Sequence, residues 1–168
     1  TKEELKEMYP EADASYDGIL FHGLKEQIME SDSTKIFVGI HTYTSHGPEY
    51  YSNSPETFKP FQPECRTVEM SNAKYSELMN AYDNTIRYTD MMLSKIINML
   101  ANEDRQAAML YVSDHGEDIY DDRRNLYLHA SPWPSYYQLH GPCLIWTDST
   151  YRAEHPQRVE LLAPRTAE

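Results

Sequence analysis

Apolar positions along this chain cluster in short continuous runs that predict strands. Four such runs stand out, "YDGILF" (16–21), "KIFVGIH" (35–41), "AAMLYVS" (107–113) and "GPCLIWT" (141–147). A continuous apolar run of this length, with β-branched residues as in 35–41, is typical of a strand covered on both faces. We therefore predict buried strands at these four places.

Two other segments have the spacing of helices. Between about residues 72 and 101, apolar side chains recur at steps of three, four or seven and form one stripe, made of Leu78, Tyr82, Ile86, Leu93, Ile97 and Leu100. A shorter amphipathic helix is predicted within "HGLKEQIMES" (22–31). The intervening segment up to about residue 70 contains four prolines, which exclude long regular structure there.

Strands that alternate with helices predict an α/β fold with a mainly parallel sheet flanked by helices. The chain has 168 residues, which is the size of one domain, and no linker or repeat divides it. We therefore expect residues 1–168 to belong to a single domain.

Charge and composition limit the kinds of molecule that this chain is expected to bind. The chain has 27 acidic and 15 basic residues, a net charge of −12, which argues against nucleic acid as a partner. It has no run of 18 apolar residues and no signal-peptide layout at its start, so the chain as given is expected to be soluble. Cys65 and Cys143 fit no paired metal-ligand spacing, and we expect both to be free, with Cys143 buried in its strand.

Candidate chemistry follows two of the predicted strands. His41 and His46 come at and after the end of 35–41, and Asp114 and His115 come after 107–113. If the strands are parallel, both groups lie at one edge of the sheet, where α/β proteins bind ligands. A carboxylate and an imidazole without a thiolate suit a catalytic zinc ion, with manganese as the second choice. Taken alone, the triplet "DHG" also fits a strand-end turn capped by Asp114.

The other polar side chains are assigned lesser roles. His140 is expected to be structural, because a parallel strand would place it at the wrong end of the sheet. His155 is expected to be solvated, and His22 could approach the site. Glu117 could orient a metal ligand, although a solvated surface acid is the preferred interpretation. Gly116 is expected to permit the sharp turn that lets Asp114 and His115 reach one ion.

Four segments occur together in a characteristic order, "IHTYTSHGPEYY", "NAYDNTIRYTD", "YVSDHGE" and "YLHASPWP". In order and spacing they resemble the periplasmic catalytic domain of phosphoethanolamine transferases, which include lipid A modifying and colistin-resistance enzymes. That group belongs to the alkaline phosphatase and sulfatase superfamily. The resemblance covers residues 16–152, and it implies the carboxyl-terminal part of a sulfatase-like catalytic domain that is incomplete at its N-terminus.

The resemblance also implies roles for particular residues. Asp114 and His115 match the family's metal-binding pair. His46 and His129 match histidines that lie beside the phosphoethanolamine group of the donor or beside a second zinc ion, so both are candidate catalytic and substrate-binding residues. His41 matches a further histidine of the family, although a hydrogen bond to the backbone would explain it equally well. We expect Asp114, His115, His46 and His129 to converge at one edge of the sheet.

The reaction implied is transfer of phosphoethanolamine from phosphatidylethanolamine to a lipid A or glycan acceptor, through a phosphothreonine intermediate. The family's threonine, a further acidic zinc ligand and the membrane helices match nothing in this chain and lie upstream of it. The full-length protein would act at the periplasmic face of the inner membrane. Thr42, Thr44 and Ser45 do not occupy a strand-to-helix junction, so the chain alone is expected to be inactive. It is also expected to bind zinc weakly, because the resemblance gives it only two of the four groups that would contact the ion.

Other functions remain open at this point. A phosphoglycerol transferase, a sulfatase or a phosphodiesterase of the same superfamily would use the same aspartate and histidine. A non-catalytic module that binds a structural ion or a protein partner is an alternative of another class. A structural zinc site would be closed by four protein ligands, whereas a catalytic site keeps one position open.

Overall fold

The computed structural model describes residues 1–11, 13–69 and 73–162. The chain divides into two compact units, Thr1–Leu93 and Ser94–Glu168. The boundary between them falls inside the long helix Tyr75–Ala101. That helix lies where the sequence pattern predicts one.

The first unit begins with helices. Helix α1 (Lys2–Met8) starts with a capping box, in which the Thr1 side chain accepts from the Glu4 amide and the Glu4 carboxylate accepts from the Thr1 ammonium group. A 3-10 helix (Asp17–Phe21) follows, and then helix α2 (Leu24–Met29), as predicted within 22–31.

The strand predicted at 16–21 is wrong, because this segment is the 3-10 helix. Local turns satisfy its backbone: Ile19 donates to the Tyr16 carbonyl and His22 donates to the Ile19 carbonyl. A strand would need a neighbouring strand for those groups. Apolar residues over so short a run do not distinguish the two outcomes.

The strand predicted at 35–41 is also not formed. This segment has no regular secondary structure, and its apolar side chains are exposed, with Phe37 at 96%. Within the described parts of the chain no strand pairs with it. The preference of β-branched residues for strands depends on cross-strand packing, so without a partner it does not produce a strand.

The segment between residues 42 and 69 lacks long regular structure, as its prolines predict. It contains two short 3-10 helices, Tyr50–Ser52 and Glu56–Phe58. The buried Asn84 holds it, because the Asn84 amide donates to the Phe61 carbonyl at 3.0 Å and accepts from the Phe61 amide at 3.1 Å. The Asn84 side chain therefore pairs with the Phe61 backbone as a neighbouring strand would.

The predicted long helix is confirmed as α3 (Tyr75–Ala101). Its buried face differs in part from the predicted stripe, since Leu78 is buried but Ile86 is exposed. Thr85 takes a buried place instead, and its hydroxyl lies 2.7 Å from the Tyr82 carbonyl and 3.1 Å from the Ser45 hydroxyl. A polar side chain whose hydrogen bonds are satisfied can be buried, and an apolar pattern does not reveal it.

The strands within the described ranges lie in the second unit. Strand β1 (Ala108–Val112) pairs with strand β4 (Cys143–Thr147), and strands β2 (Asp118–Ile119) and β3 (Tyr127–Leu128) form a small hairpin. Three short helices complete the unit, α4 (Tyr136–Leu139), α5 (Ser149–Glu154) and α6 (Pro156–Leu161). The predicted strands at 107–113 and 141–147 are confirmed, and so is the α/β class.

The predicted parallel direction of these two strands is wrong. β1 and β4 are antiparallel, with Ala108 opposite Thr147 and Val112 opposite Cys143. The connection between them holds a hairpin and the one-turn helix α4, with no crossover helix to return the chain to the other end. Asp114 and His140 therefore lie at the same end of this sheet. The expectation that His140 lies at the wrong end of the sheet is wrong. Its exposed ring stacks on Tyr136 at 4.7 Å.

Both cysteines are free thiols, as expected. The predicted burial of Cys143 is wrong, because Cys143 is exposed, whereas Cys65 is buried. A two-stranded sheet leaves much of β4 exposed, which explains the difference. None of the helices in the described ranges is long and apolar enough to cross a membrane.

The buried Asp17 holds the loop that carries His46. One carboxylate oxygen accepts from the amides of Tyr43 and Thr44 and from the Thr44 hydroxyl, and the other lies 2.7 Å from the Lys2 ammonium group. Burial raises the pKa of Asp17, but the hydrogen bonds from Lys2, Thr44 and Tyr43 outweigh it, so the pKa lies below its usual range.

We predict that Asp17→Asn lowers the stability of the chain at neutral pH by about 1–3 kcal/mol, because buried donors lose a charged acceptor. The native pKa is depressed, so the carboxylate's contribution is present above the unfolded pKa of about 3.9. It is lost as the pH falls through the lower native value. Urea denaturation of both chains should therefore show a difference at pH 7 that shrinks on acidification below about pH 4. A difference that does not change with pH would contradict this assignment.

Candidate functional site

Two histidines of the second unit lie face to face. His115 follows β1 and His129 follows β3, and their ring centroids are 4.1 Å apart with 32° between the planes. Both side chains are about 30% exposed, so a ligand can reach them although most of each ring is covered by the protein. The hairpin and the turn after β1 thus bring together His115 and His129, which lie in separate motifs of the sequence.

Glu117 is the residue whose role the sequence analysis misjudged. Its side chain is buried, and its carboxylate oxygen lies 2.8 Å from Nδ1 of His129. The interpretation as a solvated surface acid is therefore wrong. The sequence held a signal, because Glu117 immediately precedes a strand of the hairpin that delivers His129, but that two-residue strand is too short to be predicted.

The hydrogen bonds define the tautomer of both histidines. A carboxylate accepts hydrogen bonds only, so the proton of neutral His129 is on Nδ1 and the lone pair is on Nε2. Nδ1 of His115 lies 2.9 Å from the Gly116 carbonyl, which requires the same tautomer. Metal-bound histidines are usually held in this way, through an oxygen acceptor on the other ring nitrogen.

Asp114 completes the candidate donor set. Its side chain is 84% exposed, and one carboxylate oxygen lies 3.9 Å from Nε2 of His115. The other accepts from the His115 amide at 3.1 Å, which limits how far the carboxylate can rotate. A carboxylate oxygen and an imidazole nitrogen at this separation fit two ligands of one zinc or manganese ion. The donors present in this unit therefore suit a divalent metal.

The backbone around His129 is strained. Leu128 and Ala130 have φ values of 66° and 64°, in the left-handed region that residues with a Cβ rarely adopt. Each such residue costs roughly 1–2 kcal/mol and persists only where the surroundings fix it. Such strain is common at functional sites, and no residue type in "YLHA" signals it in advance.

Gly116 is required for a reason other than the one predicted. Its backbone is not in the left-handed region. Instead, a Cβ at this position would lie 2.0 Å from the Tyr137 carbonyl oxygen, and the Gly116 amide donates to the Gln138 carbonyl at 2.8 Å. The glycine thus allows the close approach of two backbone segments beside His115.

The first unit carries the other candidates. His46 is half-buried, its ring stacks on Tyr43 at 4.5 Å, and its Nδ1 lies 2.6 Å from the Gly47 carbonyl. Neutral His46 is therefore also the tautomer with its lone pair on Nε2. His41 is exposed, in the segment without regular structure. The convergence of His46 with Asp114, His115 and His129 stays a prediction, and so do the roles assigned to these four residues and to His41.

Two of the possible nucleophiles considered above have hydrogen-bond partners. The buried Thr44 hydroxyl donates to Asp17, and the Ser45 hydroxyl lies 3.1 Å from the Thr85 hydroxyl. Thr42 is half-buried. Residues 42–45 are in neither a strand nor a helix, so none of the three lies at a strand-to-helix junction.

A model of the sulfatase family, described as "Sulfatase", matches residues 1–163. The chain belongs to the sulfatase family. Among curated relatives, it is 39% identical over 145 residues to the phosphoethanolamine transferase EptA of Salmonella typhimurium, covering 83% of this chain and 26% of that protein. It is 35% identical over 149 residues to EptA of Helicobacter pylori, covering 86% and 28%.

Solved structures agree with this membership. The soluble domain of lipooligosaccharide phosphoethanolamine transferase A from Neisseria meningitidis has a TM-score of 0.78 at 33% identity, covering 90% of this sulfatase-family chain and 46% of that chain. The periplasmic domain of EptC from Escherichia coli, solved in complex with zinc, has a TM-score of 0.73 at 25% identity, covering 87% and 41%. The sulfatase-like fold is therefore confirmed, and the chain spans about a quarter of the length of the curated relatives cited.

We predict that Gly116→Ala lowers the stability of this sulfatase-family chain by about 1–3 kcal/mol, because the new Cβ meets a backbone oxygen that cannot move alone. Gly39→Ala is the matched control, since the nearest atom to its Cβ is Cε1 of Phe37 at 3.9 Å. Urea denaturation measures both. Equal effects of the two substitutions would show that the close approach at Gly116 is not a constraint.

Proposed function

We propose that this chain is part of an enzyme that transfers phosphoethanolamine from phosphatidylethanolamine to a lipid A or glycan acceptor. The observation that carries the proposal is the arrangement of His115, Glu117 and His129, where two imidazoles are held through Nδ1 beside an aspartate. It occurs in a sulfatase-family chain whose relatives are named phosphoethanolamine transferases. We also propose a periplasmic location at the inner membrane, because a similar solved domain, that of EptC from Campylobacter jejuni, is described as periplasmic.

Asp114 and His115 are the proposed metal ligands, with zinc as the first choice and manganese as the second. Zinc is favoured because the E. coli EptC domain was solved as a complex with zinc, and because one carboxylate and one imidazole suit a catalytic zinc site. When bound, the ion would polarise the phosphoryl group and lower the pKa of the attacking hydroxyl. The Gly116 carbonyl, which fixes the ring of His115, would orient that ligand.

His129 is the proposed proton carrier at the donor phosphate. Its Nε2 would give a proton to the diacylglycerol oxygen as the phosphorus–oxygen bond breaks, and would later take the proton of the acceptor hydroxyl. The buried Glu117 carboxylate would stabilise the imidazolium form, which His129 has before it gives the first proton and again after it takes the second. His46 and His41 are proposed to bind phosphoryl oxygens of the substrate.

The reaction proceeds in two balanced displacements. A threonine hydroxyl gives its proton to solvent and attacks phosphatidylethanolamine; its oxygen bonds to phosphorus, and the bond from phosphorus to the diacylglycerol oxygen breaks as that oxygen takes the proton of His129. An acceptor hydroxyl then gives its proton to His129 and attacks the phosphothreonine; the bond from phosphorus to the threonine oxygen breaks, and that oxygen takes a proton from solvent. We assign the attacking threonine to none of the described residues, which matches the engaged state of Thr44 and Ser45.

The experiment uses the complete protein in liposomes that contain a fluorescent phosphatidylethanolamine, with release of fluorescent diacylglycerol as the readout. His115→Ala should abolish release and reduce bound zinc, because it removes a ligand. His129→Ala should reduce release by about 10²–10⁴-fold, the usual contribution of a general acid. Glu117→Gln should reduce it by about 10–100-fold, as loss of an orienting partner does.

His155→Ala is the matched control, since this histidine ends helix α5 and contacts Tyr151 instead of the candidate residues. It should leave release unchanged. Parallel assays with a phosphatidylglycerol analogue and an aryl sulfate test the other reactions of the superfamily. Turnover of either, with no release from phosphatidylethanolamine, would overturn the proposed substrate. Full activity of His115→Ala and His129→Ala would overturn the proposed site.

A further inference from the structure

Asp118 is a buried carboxylate that the proposed reaction does not use. Its residue is 1% exposed, lower than the values of the other buried acids described in the second unit, Glu117 and Asp148. One carboxylate oxygen accepts from the Ser135 hydroxyl and the other from the Gln138 side-chain amide. Ser135 is also the N-cap of α4, where its hydroxyl accepts from the Gln138 amide of the backbone at 3.1 Å. Asp118 thus ties strand β2 to the start of α4.

The same helix is tied to the backbone on the other side of Glu117. The Gln138 carbonyl accepts from the Gly116 amide at 2.8 Å, while the Gln138 side chain reaches Asp118. Gln138 therefore contacts both neighbours of Glu117 in the chain. The position of the Glu117 backbone is fixed from α4 at two points.

The hairpin carries this constraint to His129. Asp118 is in register with Leu128, so His129 is the residue that follows the paired position on β3. Successive side chains of a strand point to opposite faces, which agrees with the contacts of Glu117 on His129 and of Asp118 on α4. Asp118 thus acts on the site through the backbone, since its carboxylate bonds to Ser135 and Gln138 and not to an imidazole.

We propose that Asp118 is a positioning residue, which fixes the Glu117–His129 pair by bridging Ser135 and Gln138. The inference rests on the proposed function only in taking this pair as part of the reaction site. Residue 118 must accept hydrogen bonds to keep this bridge. The groups that donate to it, the Ser135 hydroxyl and the Gln138 side-chain amide, are neutral. Asparagine could keep the bridge, because its oxygen would accept from Ser135 and the Gln138 amide could turn to accept from its nitrogen. Alanine could not.

The test compares Asp118→Ala, Asp118→Asn and the matched control Asp148→Ala in the complete protein. Asp148 is also buried, but it accepts from the amides of Ala107 and Tyr151. Two readouts are needed, the tautomer of His129 in ¹⁵N-histidine spectra of zinc-free protein and the zinc affinity by competition with a chelator. Melting temperature accompanies both, so that loss of stability is separated from loss of positioning.

Both alanine variants should melt at lower temperature, but only Asp118→Ala should give His129 a mixture of tautomers. It should also weaken zinc binding by roughly tenfold or more, because Gln138, which Asp118 holds, also holds the Gly116 amide beside the proposed ligand His115. Asp118→Asn should keep the native His129 spectrum. Unchanged spectra and affinity in Asp118→Ala would overturn the proposal, and so would an asparagine variant as impaired as the alanine variant. If Asp118→Ala does not fold, Gln138→Leu removes one donor of the bridge and must shift the His129 spectrum in the same direction. A shifted spectrum in a protein without transferase activity would reject the proposed function and leave the positioning role intact.

Discussion

A buried polar side chain must find hydrogen-bond partners, and this requirement holds the loops that carry the candidate residues. Those loops have little regular structure, so strand ladders and helices do not fix them. Asp17 collects the amides of Tyr43 and Thr44 just before His46, and Asn84 holds the segment around Phe61. In each case a buried polar side chain with satisfied hydrogen bonds fixes the loop backbone, and Asp17 does so beside His46.

How far the sequence predicts this fold depends on the length of each pattern. Helix α3 repeats its apolar spacing over 27 residues, and β1 and β4 are continuous apolar runs, so all three are found where predicted. The hairpin of β2 and β3 has two residues per strand, which is too short to leave a periodic signal. The direction of β4 depends on the connection before it, and the sequence shows no helix there long enough to decide it.

The candidate site divides in the same way. Asp114 and His115 could be found from their place after a strand, and His129 from the family resemblance alone. For Glu117 the sequence allowed an orienting role but favoured a solvated acid, because the hydrogen bond that decides between them crosses a hairpin that the sequence does not reveal. The shared tautomer of His46, His115 and His129 is also a property of the fold, since each depends on an oxygen placed beside Nδ1. Residue types suggest a metal site, whereas such oxygens determine which nitrogen can bind.

The exposed run 36–40 has a consequence for handling the isolated chain. "IFVGI" has no charge and no proline, high β propensity and a nearly fully exposed Phe37. Segments with this composition readily stack into intermolecular β-sheets when they are accessible. Concentrated solutions of the 168-residue chain are therefore expected to aggregate through this run. A lysine in place of Phe37 would oppose intermolecular strand pairing and so reduce aggregation during purification.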